Sequence, residues 1–276
     1  MQKTTYLIFI SLILAVLECN TAHADWPKSI QVGSKGYEVA LLQSTLNECQ
    51  NQNLAVDGIF GNGTKNVVIA FQQAKALIVD GKVGPQTWKA LFSAAPRYVI
   101  RFKRGTAPNN SPTTPENDSH YECEVKTYRI DGNGTTLLST HRGSVEPSDI
   151  NVRGRVNNGW YRLHLGLHKR SKNGQALVPT ANDLVVKTNG YLRPCLVVNL
   201  DNKVPVTSNN PNKKFSTAIH IHNGFNTGRF SDGCQTLSPS HWSPFISHFL
   251  QKYNTLNDWH RNNSYRGREI GVLIIG

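Results

Sequence analysis

The chain has 276 residues, of which 38% are hydrophobic and 17% are charged, a composition that excludes a largely disordered protein and leaves room for two domains. Its 30 lysines and arginines outnumber its 18 aspartates and glutamates, so the formal charge of +12 favours anionic surfaces. The basic residues are spread along the chain, with no cluster larger than residues 100–104. We therefore expect affinity for a charged wall or surface, and no nucleic-acid site.

Residues 1–24 have the features of a secretory signal peptide. Lys3 precedes an apolar run from Tyr6 to Leu17 that is too short to span a bilayer, and Ala22-His-Ala24 supplies a small-x-small cleavage pattern. The sequence thus predicts export to the periplasm, the cell wall or the medium. The mature chain should begin near Asp25, with no stable membrane insertion after cleavage.

The cysteines allow two further interpretations. Cys19 raises a lipoprotein alternative, although Glu18 before it does not match the small residue that lipoprotein processing prefers. The mature chain keeps four cysteines, which could form two disulfides in an oxidising compartment. They are Cys49, Cys123, Cys195 and Cys234.

Two related turns occur in the N-terminal third, Val56-Asp-Gly-Ile-Phe-Gly-Asn-Gly-Thr64 and Val79-Asp-Gly-Lys-Val-Gly-Pro-Gln-Thr87. In each, Asp-Gly favours a backbone with positive φ, and the closing threonine is placed to N-cap a following helix. Helical spacing of apolar residues follows both turns, and an earlier helix is predicted from Val39, Leu41, Leu42 and Leu46.

A three-helix unit with these turns resembles the peptidoglycan-binding type 1 module over residues 29–92. The resemblance implies that residues 25–95 bind cell-wall polymer and contain no catalytic residues. A bare structural three-helix bundle is the alternative, with Phe60, Phe71 and Trp88 serving only its core.

Residues 96–119 are predicted to be a linker, because residues 105–119 contain three prolines and lack apolar periodicity. Tyr98 to Arg104 alternates loosely enough to be a strand. From residue 120 to 276 the pattern is that of a mainly β domain with few helices. Its predicted strands are 123–130, 135–139, 161–167, 183–187, 196–200, 216–222 and 269–275, with a helix over 240–253. The predicted fold is thus a small three-helix module followed by a β-rich catalytic domain.

The stretch from Ala218 to Leu237 carries the chemistry. An alternating strand would place His220 and His222 on one face, and the glycine-rich loop after it could return Cys234 to an imidazole. A thiol needs such a neighbour to ionise near neutral pH. The backbone N–H groups of Gly233 and Cys234 are candidate oxyanion donors.

These residues resemble the L,D-transpeptidase (YkuD-type) cysteine enzymes, through Ile221-His-Asn-Gly224 and Ser231-Asp-Gly-Cys234. The resemblance implies that Cys234 is the nucleophile and His222 the base, with His220 and Gly233 assisting and no metal or cofactor. It implies a thioester formed on a wall stem peptide, then transfer to an amine or hydrolysis as in a carboxypeptidase or endopeptidase. The residues expected to contact substrate are Ser231, Asp232, Gly224 and Arg229.

This sequence departs from the family pattern in two ways, of which the first is a loop from His222 to Cys234 that is on the short side. In the second, Gln235-Thr236 replaces the hydrophobic-Arg pair that usually follows the cysteine, so the arginine associated with substrate carboxylate recognition is missing. Candidates to replace it are Arg229, Arg193 and Arg162.

Two other classes stay open. A zinc-dependent wall peptidase could use the histidine pair with His164, His168 or His260, although Arg229 occupies the position seven residues after His222 where a carboxylate is expected. A noncatalytic wall-binding protein would hold Cys234 in a disulfide. In each case the expected partner is peptidoglycan, and the chain is expected to be a monomer.

Overall fold

The computed structural model describes residues 27–105, 121–146, 154–172, 175–176, 185–187, 190–199, 203–217, 219–224, 234–253, 259 and 266–276. The predicted signal peptide lies outside the described residues, as do Arg229, Ser231, Asp232 and Gly233. In the described part, no helix is long and apolar enough to cross a membrane.

Three helices form the N-terminal module: α1 (Tyr37–Gln50), α2 (Asn62–Ala74) and α3 (Pro85–Ala94). Their apolar faces meet in one core that includes Leu42, Phe71 and Trp88. Trp88 and Phe92 stack with ring centroids 5.1 Å apart. The three predicted helices are therefore confirmed.

The predicted threonine caps are wrong. Gly61 and Gly84 occupy the N-cap positions of α2 and α3, and neither helix start has a side-chain cap. Thr64 and Thr87 lie inside the first turn and are buried. Each threonine hydroxyl instead accepts a hydrogen bond from a buried glutamine, at 3.3 Å in both cases.

These glutamines, Gln43 and Gln72, organise the two turns in the same way. The Gln43 amide nitrogen donates to Asp57 Oδ1 at 2.8 Å and to the Ile59 carbonyl at 3.1 Å, and its oxygen accepts from Gly58 N at 2.9 Å.

In the second turn, Gln72 donates to Asp80 Oδ1 at 3.0 Å and to the Lys82 carbonyl at 2.8 Å, and accepts from Gly81 N at 2.9 Å. The sequence repeat is thus also a repeat of one hydrogen-bond network. Because buried backbone groups of a turn need partners, a glutamine that bonds to one N–H and one carbonyl of the turn stabilises it.

The remainder of the described chain forms one large sheet, one small sheet and a fourth helix, α4 (Pro239–Leu250). The large sheet contains β1 (Arg97–Lys103), β2 (Cys123–Asp131), β3 (Gly134–Ser144), β5 (Gly159–Lys172), β6 (Gln175–Ala176), β7 (Val185–Lys187), β8 (Gly190–Val198), β11 (His220–Asn223), β12 (Gln235–Leu237) and β13 (Arg266–Ile275). The small sheet contains β4 (Arg155–Val156), β9 (Val204–Thr207) and β10 (Phe215–Ser216).

Eight strands close into a barrel. The order β5-β13-β1-β2-β3-β12-β11-β8 returns to its start because β8 also pairs with β5. Side chains alternate between the interior and the outer face of such a barrel. The interior is apolar and includes Leu163, Leu165, Leu196 and Ile221. The predicted mainly β domain is therefore confirmed.

Helix α4 follows the carboxyl end of β12 and packs into the same interior. Its Trp242, Phe245, Ile246 and Phe249 belong to the barrel core, and Phe249 contacts the Tyr98 ring with centroids 5.0 Å apart. The predicted helix over 240–253 is thus present, three residues shorter at its end. Cys234 precedes the amino end of β12, so α4 and the cysteine lie at opposite ends of this strand.

The structure differs from the predicted linker at its first residues. β1 occupies 97–103, pairs in parallel with β13 and antiparallel with β2, and is a central strand of the barrel. Residues 106–119 of the predicted linker lie outside the described residues. The loose alternation of this segment has a physical reason: Tyr98, Ile100 and Phe102 fill the barrel, while Val99 between them is buried against the helices.

The helical module and the barrel share a hydrophobic contact. Val99, Ile130 and Val272 on the outer barrel face belong to the same core cluster as the three helices. Beside this contact, Arg97 is 2% exposed, forms an ion pair with Glu48 of α1 at 2.7 Å and donates to the Ser44 carbonyl at 3.0 Å. The two parts are therefore packed directly against each other.

Candidate active site

Parallel pairing of β11 and β12 creates the candidate site. Ile221 lies opposite Gln235 and His222 lies opposite Thr236. Parallel strands start at the same end of a sheet, and the chain must return along a connection to achieve this. Cys234, which precedes β12, therefore lies beside the start of β11.

Cys234 is buried, with 7% of its surface exposed. The backbone N–H of His220 donates to its Sγ at 3.4 Å. A donor aimed at sulfur favours the thiolate over the thiol, since hydrogen bonding to the charged form stabilises that form. The geometry therefore brings the predicted nucleophile and the first histidine together.

His220 is nearly enclosed, and this sets its charge. Burial, followed by the nearby charge of His222, lowers its pKa to about 4. At neutral pH its imidazole is neutral and adds no repulsive positive charge beside His222.

One contact distinguishes the two ring nitrogens of His222. Its Nδ1 lies 2.8 Å from the backbone carbonyl oxygen of Asn223. A carbonyl oxygen only accepts, so this contact assigns the ring hydrogen to Nδ1 and leaves Nε2 with its lone pair. His222 is half-buried, and it shares the outer barrel face with His220 by strand alternation.

Cys195 is a neighbour that the sequence analysis did not place in the site. It lies on β8, one residue from Leu196, which pairs with Ile221. Burial, and then the charge of Cys234, raise the pKa of the Cys195 thiol well above its ordinary value. Cys49, Cys123, Cys195 and Cys234 are all free thiols, so the disulfides considered from the sequence are not formed.

Gly224 is packed tightly. Its backbone N–H donates to the Leu237 carbonyl at 2.8 Å, and a side chain at this position would collide with the Tyr121 hydroxyl. The glycine therefore permits β11 to end close to β12. Its predicted contact with substrate stays a prediction, as do those of Ser231, Asp232 and Arg229 and the role of Gly233, which lie outside the described residues.

Several residues close to Cys234 in sequence have buried polar atoms without a protein partner, and by strand alternation only Thr236 among them shares the face of Cys234. Among the described residues these are the Asn223 side-chain oxygen, both amide atoms of Gln235 and the Thr236 hydroxyl. Gln235 and Thr236 have no exposed surface. Each such group requires an explanation, and a bound ligand or water is the ordinary one. The sequence signal was present, since a polar pair follows Cys234 where an apolar residue and an arginine are usual.

His164, considered as a zinc ligand, has a different partner. It is 3% exposed and its Nε2 lies 3.4 Å from Glu269 Oε2, which also binds Arg162 at 2.5 Å. Despite burial, bonds from His164 and Arg162 lower the Glu269 pKa to about 2. Within the described residues, no three His, Cys, Asp or Glu side chains are arranged to hold a metal ion. His260 and the His168 side chain are not among those described.

Comparison with known proteins identifies the helical module. Residues 35–91 match the family described as "Putative peptidoglycan binding domain", which confirms the module predicted from the two turns. Spore cortex-lytic enzymes are similar: the one from Bacillus cereus is 32% identical over 102 residues, and the one from Halalkalibacterium halodurans is 36% identical over 81 residues. These matches cover 37% and 29% of this chain, and 39% and 24% of the relatives.

Solved structures give weaker similarities. An L,D-transpeptidase from Xylanimonas cellulosilytica is 18% identical, with 91% of this chain and 98% of that chain covered at a TM-score of 0.25. A fused Zn-dependent amidase/peptidase with a peptidoglycan-binding domain, from Clostridium acetobutylicum, is 14% identical at the same TM-score, with 91% and 100% covered. At this TM-score neither alignment assigns a fold or an activity to the barrel.

Proposed function

We propose that this chain is an exported peptidoglycan-active enzyme in which Cys234 attacks a carbonyl of a wall stem peptide. The observation that carries the proposal is the pairing of β11 with β12, which brings Cys234 within 3.4 Å of the His220 backbone N–H and beside a histidine pair. The buried Thr236 hydroxyl, which has no partner among the described residues and shares the Cys234 face of β12, supports a ligand site at the same place.

The substrate class follows from the helical module. Its family match supports peptidoglycan as the partner, and the shared core with the barrel keeps a wall-binding surface and the cysteine in one body. The positive charge of the chain adds a general attraction to an anionic wall. Export, periplasmic or wall location and a monomeric state belong to the same proposal.

The proposed reaction begins with proton transfer from the Cys234 thiol to Nε2 of His222. The thiolate then attacks the carbonyl carbon of the L-centred residue in the peptide, and the tetrahedral oxyanion is stabilised by backbone N–H groups. The carbon–nitrogen bond breaks, and His222 returns the proton to the departing amine. The resulting thioester is attacked by an acceptor amine, giving a cross-link, or by water, giving a free acid.

Purified peptidoglycan fragments analysed by mass spectrometry test this proposal. Cys234→Ala should abolish turnover, because no other described thiol receives the bond from β11. Cys195→Ala is the matched control, a second buried thiol on the neighbouring strand, and should keep most activity. A chelator should leave the native chain active; activity lost to chelator but retained in Cys234→Ala would favour a zinc peptidase instead.

The histidines separate in a second comparison. His222→Ala should lower kcat about 100-fold or more, as expected for a general base, and His220→Ala should lower it less. Equal losses would contradict the assignment of His222. Thiol titration of the native chain should find Cys234 reduced, whereas an oxidised Cys234 would favour a noncatalytic wall-binding protein.

A further inference from the structure

An open cavity of about 280 Å³ lies at the edge of the small sheet and is not part of the site described above. The residues that line it are mostly polar, and two of them are arginines. The described residues that line it are Arg104, Arg155, Val156, Asn157, Asn158 and Thr207. The volume suits a single small group better than a drug-sized ligand.

Arg104 lines this cavity. Its Nη2 donates to the Val156 carbonyl at 2.8 Å, while its Nε is buried and has no partner among the described residues. A guanidinium has five N–H donors, and a buried donor without a partner is costly. No described carboxylate forms an ion pair with Arg104.

Arg155 brings a second guanidinium to the same cavity. It pairs with Glu146 at 3.1 Å and is 39% exposed, so part of its charge faces the opening. Burial, and then the charge of Arg155, lower the pKa of Arg104, while the nearby carboxylates of Glu146 and Glu122 act in the opposite direction. Two cations held near each other are relieved by an anion between them, and paired arginines match the planar fork of a carboxylate.

Amide and hydroxyl groups complete the lining. Thr207 donates to the Asn157 side-chain oxygen at 2.7 Å, which leaves the Asn157 amide N–H groups for other acceptors. A group that binds here therefore meets donors from several directions.

The strand register relates the cavity to Cys234. Ser144 of β3 lies opposite Thr236 of β12 in an antiparallel pair. Because the two strands are antiparallel, Glu146, two residues after Ser144, and Cys234, two residues before Thr236, lie toward the same end of the barrel. Since Glu146 binds Arg155, the arginine cavity and the cysteine share one end of the barrel.

We propose that the Arg104–Arg155 cavity is a binding site for a carboxylate of the wall peptide, and that it positions the peptide for Cys234. This assignment rests on the proposed function for its substrate class. The same lining could bind inorganic phosphate, which has similar charge and acceptor geometry, so the test contains both anions.

Binding is measured by calorimetry on the full mature chain carrying Cys234→Ala, so that no turnover is required. The probes are a synthetic peptide with a D-configured last residue and a free carboxylate, its C-terminal amide, and inorganic phosphate. The acid should bind about tenfold tighter than the amide. Adding Arg155→Gln should remove that preference, and Lys103→Gln, which removes the same charge one residue from Arg104, should preserve it.

Equal binding of the acid and the amide overturns the proposal, as does an Arg155→Gln variant that behaves like Lys103→Gln. Phosphate binding that depends on Arg155, with no preference for the peptide acid, also overturns it and assigns the cavity to a free anion. Arg104→Gln is a second variant, checked by denaturant unfolding because Arg104 also braces Val156. These readouts involve no catalysis, so they are independent of whether Cys234 is the nucleophile.

Discussion

Buried glutamines differ sharply between the helical module and the barrel. Gln43 and Gln72 of the module are at most 2% exposed, and each bonds to a backbone N–H, a backbone carbonyl and two side chains. Gln235 of the barrel is fully buried, yet neither of its amide atoms has a partner among the described residues. Buried glutamines are therefore fully hydrogen-bonded in the module, whereas the buried glutamine of the barrel has no described partner.

The same division holds for other polar groups. Every described buried side-chain atom that lacks a partner belongs to a residue from Arg97 onward, and the described residues before it contribute none. A module with complete hydrogen bonding is arranged for stability. The described part of the barrel keeps buried polar atoms without a described partner, at some cost in stability.

The largest expected effect is that of Gln72→Met, which keeps the size of the side chain but removes its amide. It leaves the buried Gly81 N–H unpaired and removes the part-buried bond to the Lys82 carbonyl and the bonds to Asp80 and Thr87, so the free energy of unfolding should fall by about 4 kcal/mol. Urea denaturation measures it, with the exposed Gln52→Met as control. A loss below about 1 kcal/mol would contradict the structural role of the network.

Gly58→Ala and Gly81→Ala sharpen the comparison between the two turns. Both glycines have positive φ, +72° and +70°, so each substitution should cost about 1 kcal/mol from backbone strain. A methyl group at Gly58 would also come within 2.5 Å of the Trp160 ring on the barrel, whereas at Gly81 it meets the flexible Lys65 side chain. The Gly58 variant should therefore lose about 3 kcal/mol in total. Equal losses of unfolding free energy in the two variants would show that Gly58 is not in close contact with Trp160 of the barrel.

Acidic pH should destabilise the barrel more than the helical module, because residues 27–96 contain no histidine. Burial, and then His241 and His248, lower the pKa of His141 in the barrel from 6.5 to about 4. Between these values the unfolded chain binds more protons, so stability is full above pH 6.5 and falls as pH decreases toward 4. From pH 7 to pH 5 this one group should cost about 2 kcal/mol.

The matched variant for this prediction is His141→Gln, which should flatten that part of the pH dependence of unfolding. A curve unchanged in slope between pH 5 and pH 7 would assign the acid sensitivity to other groups.

The smallest effect has the opposite sign. Gln235→Met removes two buried polar atoms that have no described partner, so the free energy of unfolding should rise by about 1 kcal/mol. A destabilised Gln235→Met protein would mean that this glutamine is bonded as fully as Gln72, and the contrast between the regions would not hold.

The module was largely predictable from sequence, but its glutamines were not. The Asp-Gly turns repeat at a fixed spacing, which is why the helices after them could be predicted. Gln43 precedes Asp57 by 14 residues, whereas Gln72 precedes Asp80 by only 8, so aligning the turns does not align the glutamines. The threonines were predicted to be helix caps because their actual hydrogen-bond partners, the two glutamines, are distant in sequence.

In the barrel, the local pattern predicted the histidine and cysteine pair, and strand pairing explains their approach. Strand β12 has only three residues, too few to show alternation, and β1 is buried on both faces. The neighbours of Cys234 from other strands, such as Cys195, depend on register across the barrel. Register is set by distant pairings that a single sequence does not display.

The apolar contact that Val99, Ile130 and Val272 make with the helices has a consequence for how this chain works on a polymer. A wall-binding domain joined to its enzyme by a flexible linker allows the enzyme to reach substrate in many directions around the point of binding. Here the helices and the barrel share one apolar cluster, so under the proposed function the position of the helices on the wall would also set the position of the barrel. Removal of the helices would expose the apolar side chains of Val99, Ile130 and Val272 to solvent.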